Sequence, residues 1–167
     1  HTPTRRQRQM CIRDSIQGAG GLIVPPEGYH VKMGELCKEY DIKYITDEVV
    51  TAFGRLGHFF ASKDVFGVQP DIITTAKGLT SGYQPLSATI ISDEIHEVIS
   101  GEGSMFLHGM TYSGHPAASA AALANIALME KERIPQRVQK TDKLFENNLH
   151  KLADLDSVGE AVSYTHL

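Results

Sequence analysis

A lone lysine, Lys77, follows the run Asp71-Ile72-Ile73-Thr74-Thr75-Ala76, with Gly78 directly after it and Gly82 a few residues on. The run reads as a buried strand and the glycines as a tight exit from its end. Lys77 then stands at the carboxyl end of a strand, the edge where open α/β sheets bind ligands. Two chemistries are open to it. The stem can lie over the sheet edge with its ammonium in water. Alternatively, the partly desolvated amine can form a Schiff base with a carbonyl. Asp47 closes a second β-rich run, Asp41-Ile42-Lys43-Tyr44-Ile45-Thr46, and brings a carboxylate to the same kind of edge. A third stretch, Thr111-Tyr112-Ser113-Gly114-His115, leads into Pro116 and a long alanine-rich segment. A helix start there would offer free N–H groups and hydroxyls to an anion. Amine, carboxylate and anion site together suit a phosphate-bearing aldehyde with a basic ring nitrogen. Each also has a plainer role: Lys77 solvated, Asp47-Glu48 ending a strand or capping a turn, Thr111 and Ser113 capping a helix.

The elements that would position these residues can be read in order. Ile16 to Gly28 is loop, crowded with glycine and proline; Val24-Pro25-Pro26 denies Gly18-Ala19-Gly20-Gly21 the helix a nucleotide loop needs. Tyr29 to Tyr40 reads as a helix with Val31, Leu36 and Tyr40 along one side. Asp41–Thr46, Asp71–Thr75 and Leu86–Ile91 are the expected strands, with Thr51–Gly57 a loop and Phe59–Phe66 a short helix or turn. Ser92-Asp93-Glu94 can cap a helix through Ile99. Pro116 opens a helix over Ala117–Glu130, on which Leu123, Ala127 and Glu130, or Ala120, Ala124 and Leu128, share a face. Pro135 interrupts the chain, and a helix from Gln136 to Leu152 would turn Val138, Phe145, Leu149 and Leu152 inward. Strands alternating with helices predict an α/β fold with a largely parallel sheet. Three strands leave two raw edges that something else must cover.

Composition excludes several classes. Of 167 residues, 41% are hydrophobic and 22% charged, which is globular rather than disordered. A net charge of −4 leaves no footprint for nucleic acid or an anionic membrane. No apolar run approaches the roughly 20 residues of a membrane helix. Cys11 and Cys37 make neither a disulfide framework nor a zinc pattern, and point to a reducing compartment. His30, His58, His96 and His150 lack ligand spacing, so no metal site is expected, and His108 and His115 read as loop anchors. The arginine-rich residues 1–15 and the terminal 161–167 look like non-native, adapter-like tails, which leaves the fold to begin at Ile16.

Three stretches carry a resemblance. Asp47-Glu48-Val49-Val50-Thr51-Ala52-Phe53-Gly54-Arg55, Pro70-Asp71-Ile72-Ile73-Thr74-Thr75-Ala76-Lys77-Gly78 and His108-Gly109-Met110-Thr111-Tyr112-Ser113-Gly114-His115-Pro116 stand in the order found in class III aminotransferases. The chain resembles these fold-type I enzymes over about Ile16 to Ala153. The resemblance implies pyridoxal 5'-phosphate as cofactor and Lys77 as the catalytic Schiff-base lysine. It implies Asp47 on the pyridinium nitrogen, Val49 against the ring face, and Thr111 on the phosphate of a neighbouring subunit's cofactor. The active unit would be a cytoplasmic homodimer passing an amino group from an amine donor to a keto-acid acceptor. Residues 16–134 would be the second half of the cofactor-binding large domain, and 135–160 the connecting helix toward a small domain. Such a piece alone would have little activity.

Val50 stands where members acting on γ-aminobutyrate or ornithine commonly carry glutamine, which leans toward the ω-amino acid–pyruvate branch. Ala52 replaces the usual glycine, and Asp14-Ser15 stand where a Glu-Pro is expected. An aminomutase, a decarboxylating transaminase and a catalytically silent α/β fragment remain alternatives. A P-loop is disfavoured, because Gly78 follows Lys77 rather than preceding it.

Overall fold

The computed structural model describes residues 10–159. The chain runs β1 (Met10–Asp14), α1 (Tyr29–Glu39), β2 (Lys43–Asp47), α2 (Ala61–Asp64), β3 (Ile72–Thr75), β4 (Ala88–Ile91), α3 (Asp93–Ser100), α4 (Pro116–Lys131) and α5 (Ile134–His150). The four strands form one sheet in the order β1-β2-β3-β4. β1, β2 and β3 are mutually parallel, and β4 runs antiparallel to β3. The fold is thus α/β with a mostly parallel sheet and flanking helices, as expected.

The sheet has one strand more than the sequence reading allowed. Met10–Asp14, set aside there as part of a tail, pairs residue for residue with Lys43–Asp47. Its charged Arg13 and Asp14 hide it from a periodicity search, and β1, at the edge of the described sheet, tolerates them because both side chains are exposed. The rest of the 1–15 tail, residues 1–9, and the 161–167 tail lie outside the described residues.

The core lies between the sheet and α1. Cys37, Tyr44 and Val68 are buried together, with Cys11, Met33, Ile42 and Phe66 packed around them. The buried face of α1 is therefore His30 and Cys37, whereas Val31, Leu36 and Tyr40 are exposed. His30 is a polar core residue with both ring nitrogens used. Nε2 faces the Ser15 carbonyl at 3.0 Å and Nδ1 faces the Tyr44 hydroxyl at 2.7 Å. A carbonyl only accepts, so Nε2 carries the proton and Nδ1 accepts from Tyr44. Burial pushes the His30 pKa down and the Tyr44 pKa up, which keeps both groups neutral.

The two long helices also present other faces than expected. α4 buries Ala118, Ala122 and Met129, while Leu123 and Leu128 are exposed. In an alanine-rich helix every face looks apolar, so spacing alone cannot choose among them. On α5, Phe145 and Leu152 are exposed, although Val138 and Leu149 are partly buried. Pro135 sits in the first turn of α5, where its missing N–H is harmless, and the break falls at Arg133, whose φ is 52°.

Candidate functional site

β2 and β3 are parallel neighbours, so their carboxyl ends emerge side by side. Asp47, the last residue of β2, stands opposite Thr74. Lys77 follows three residues beyond Thr74, at the start of a 3₁₀ turn over Lys77–Thr80. The two charged residues therefore share one sheet edge, as the strand reading expected.

Asp47 is half-buried, and its Oδ1 accepts a hydrogen bond from the Val49 N–H at 2.9 Å. This bond folds the chain back at the strand end and fixes the carboxylate. Val49 and Lys77 lie on the wall of one cavity of about 350 Å³, together with Phe53, Arg55, Ile134 and Val138. Among the described residues no ion pair joins Asp47 to Lys77. A larger cavity of about 950 Å³ lies between the start of α1 and α5, and none of Asp47, Val49, Lys77 or Thr111 lines it. Chemistry rather than size selects the smaller one.

Glu48 is the structural hub beneath this edge. It is 0% exposed. Its Oε2 accepts from the Ala61 N–H at 2.6 Å and Thr51 Oγ1 at 3.2 Å. Its Oε1 accepts from the Ser62 N–H at 2.9 Å and Ser62 Oγ at 2.5 Å. Its backbone ties β2 to β3, with the N–H donating to the Thr74 carbonyl at 2.8 Å and the carbonyl receiving Thr75 Oγ1 at 3.4 Å. The carboxylate caps the first N–H groups of α2. Of the pair Asp47-Glu48, the second residue thus has the capping role, and the first is left at the edge.

The turn after Asp47 is tight. Phe53 has φ 55°, and its N–H donates to the Phe59 carbonyl at 2.8 Å. Its ring packs edge-on against Phe59 and Phe60. The strained position is Phe53, not Ala52, which is why alanine is accommodated where the family pattern has glycine. Gly78 fits against this turn so closely that a Cβ there would lie 2.9 Å from Phe53 Cβ.

Thr111 is not brought to this edge. It is exposed, on the loop between α3 and α4, beside exposed Met110 and Tyr112. Neither Thr111 nor Ser113 caps α4. His115 does so, its Nδ1 accepting from the Ala118 N–H at 3.3 Å. Ser92 likewise precedes α3 without a side-chain cap, and its hydroxyl is buried without a partner. One contributor to the site escaped the sequence reading altogether. Asn125, in the middle of α4, donates from Nδ2 to the carbonyls of Gly78 at 2.9 Å and Leu79 at 3.1 Å. Its position on a helix gave no signal beyond being a poor helix former.

Lys77 and Val49 share one open wall, and the fixed Asp47 carboxylate stands at the end of the neighbouring strand. This donor set fits an aldehyde-bearing aromatic ring with a basic nitrogen. Among the described residues no cluster of His, Cys, Asp and Glu could hold a metal ion.

Comparison with known proteins agrees with the fold. The family model for class-III aminotransferases matches residues 10–163. The chain belongs to the class III aminotransferases. It is 47% identical over 151 residues to the putrescine–pyruvate aminotransferase of Pseudomonas aeruginosa, covering 90% of this chain and 33% of that protein. It is 41% identical to the mitochondrial γ-aminobutyrate transaminase 1 of Solanum lycopersicum, over 89% of this chain and 29% of that one. The crystal structure of a thermostable (S)-enantioselective ω-transaminase from Thermomicrobium roseum matches with a TM-score of 0.82 at 44% identity, over 89% of this chain and 33% of that one. An amine transaminase from an uncultivated Pseudomonas species, solved in its PLP-bound form, matches with a TM-score of 0.79 at 44% identity, over 86% of this chain and 33% of that one. The chain thus spans about a third of the length of the relatives it matches. Class III aminotransferases depend on pyridoxal phosphate.

Proposed function

We propose that the protein, at its relatives' full length, transfers an amino group from an amine or ω-amino acid to a keto acid such as pyruvate, with pyridoxal phosphate held at Lys77. One observation carries this reading. Asp47 and Lys77 stand at the carboxyl ends of neighbouring parallel strands, and Lys77 shares a cavity wall with Val49. When bound, the cofactor supplies an electron sink and carries the amino group between donor and acceptor. Lys77 would hold its aldehyde end through Nζ; once the donor's amino group has displaced it there, the freed Nζ would take the proton from the donor's Cα and hand it on to the cofactor's aldehyde carbon. Asp47 would keep the ring nitrogen protonated by facing it with a carboxylate already fixed on the Val49 N–H. Val49 would pack against the ring face and exclude water there.

Thr111 would act across a homodimer, on the phosphate bound by the partner subunit. The exposure of Met105, Phe106, Leu107, Met110 and Tyr112 on the same loop supports a covered interface. Sedimentation of the full-length protein as a monomer at micromolar concentration would count against this. Cys11 and Cys37 are free thiols, which fits a reducing, cytoplasmic setting. Recovery of the protein in an oxidising compartment would oppose it. No described helix is long and apolar enough to cross a membrane.

The donor is approached from two sides. Val50 leans toward the pyruvate-using branch, as does the putrescine–pyruvate relative, while the γ-aminobutyrate transaminases keep an ω-amino acid in view. The test is alanine formation by the full-length protein from pyruvate, with putrescine and γ-aminobutyrate as parallel donors. Alanine from either supports the reading. Alanine from no amine donor overturns the pyruvate assignment. The 167 residues by themselves would show little activity, because a productive pocket needs its supporting shell.

A further inference from the structure

The backbone that aims Lys77 is unusual. Lys77 has φ 41° and Ser81 has φ 50°, so two non-glycine residues in the left-handed region bracket the 3₁₀ turn. Such positions persist only where the surroundings over-determine them. The turn's own hydrogen bonds are modest: Leu79 N–H to the Ala76 carbonyl at 3.0 Å, and Ser81 N–H to the Gly78 carbonyl at 3.2 Å. Lys77 is exposed and has no side-chain partner among the described residues, so the backbone of this turn is what sets where its side chain leaves the sheet edge.

Asn125 supplies the missing constraint. Its Nδ2 bridges the Gly78 and Leu79 carbonyls, and its Oδ1 accepts from Ser81 Oγ at 2.7 Å. Two carbonyls can only accept, so they settle which end of the amide faces them. The Ser81 hydroxyl then locks the other end. One side chain from α4 thereby grips both ends of the turn, while Phe53 and the Ala52 carbonyl close on Gly78 from elsewhere. Asparagine is a poor mid-helix residue, and its side chain is the reason for its presence there.

We propose that Asn125 is the positioning residue of Lys77, clamping the left-handed turn so that the amine points at one place. The inference rests on Lys77 being the residue that holds the cofactor. The test uses the full-length protein with Asn125→Asp, which is isosteric but sets an oxygen against the two carbonyls, and Ser81→Ala, which only unlocks the amide. Hydrogen exchange at the Leu79 and Ser81 amides should rise about tenfold in Asn125→Asp and less in Ser81→Ala, with the amides of α4 unchanged. With cofactor present, kcat should fall about tenfold while the donor KM moves less than twofold, since misplacement affects the transition state more than ground-state binding. If exchange rises evenly along α4 and the turn, or kcat is unchanged while only thermal stability drops, Asn125 is a packing residue and the proposal is wrong. If Asn125→Asp does not fold, Ser81→Ala decides by the same two readings. Should the wild type take up no pyridoxal phosphate, the functional reading fails, whereas the exchange result still decides whether Asn125 orders the turn.

Discussion

Replacing Glu48 by glutamine removes one charge and changes almost no volume, so it isolates what the carboxylate does. Four donors converge on its two oxygens: the N–H groups of Ala61 and Ser62 and the hydroxyls of Thr51 and Ser62. A glutamine can satisfy only one pair with its oxygen. The hydroxyl of the other pair can turn and accept from the new NH₂; Ser62 Oγ already has Thr46 Oγ1 at 2.9 Å to receive its proton. The backbone N–H of that pair cannot adapt. At least one hydrogen bond to a charged group is lost and one buried N–H is left facing a donor, together about 2–4 kcal/mol. Urea unfolding of the full-length protein measures this directly, with the exposed Glu97→Gln as a control expected within about 0.5 kcal/mol of wild type. A loss below about 0.5 kcal/mol for Glu48→Gln would refute the role of its carboxylate as the hub that ties α2 to the end of β2.

Two further outcomes follow from the same geometry. Gly78→Ala places a Cβ 2.9 Å from Phe53 Cβ and 3.4 Å from the Ala52 carbonyl oxygen, so it should destabilise by about 1–3 kcal/mol in thermal unfolding; a neutral effect would show that the two turns are not in contact. Burial lowers the His30 pKa, so below about 6.5 the unfolded chain takes up a proton that the folded ring refuses. Its contribution is therefore complete above that pH and is lost as pH falls toward the folded pKa. The urea midpoint should drop between pH 7.5 and 5.5, and His30→Gln should flatten the slope; an unchanged slope in the variant would place the pH dependence elsewhere.

The strands and the three stretches that define the site were legible because they are local. Apolar runs ending at Asp47 and Thr75, with glycine after Lys77, mark strand ends whatever surrounds them. What escaped was set by contacts distant in sequence. β1 is recognisable only through its pairing with β2, since Arg13 and Asp14 break its apolar pattern. The buried face of α1 centres on His30, a polar residue made tolerable by Ser15 and Tyr44, so apolar spacing pointed at Val31 and Leu36 instead. On α4, alanines on every side erased the contrast that would have singled out Ala118, Ala122 and Met129. Asn125 earns its place through a turn more than 40 residues away, which no local pattern encodes. The two capping readings failed for different reasons. Ser92 holds the N-cap position of α3, but its side chain makes no capping bond, whereas Thr111 and Ser113 lie before the N-cap position of α4, which His115 fills.

The proposed function stands or falls with Lys77, at the edge shared with Asp47, as the residue that would hold the cofactor. The most direct measurement is to load the full-length protein with pyridoxal phosphate, reduce with borohydride, digest, and locate the cofactor's added mass by peptide mapping. That mass is expected on the peptide containing Lys77 and on no other, and is expected to be completely absent in Lys77→Ala. Stoichiometric label on a different lysine, or label and amine transfer that survive in Lys77→Ala, would contradict it.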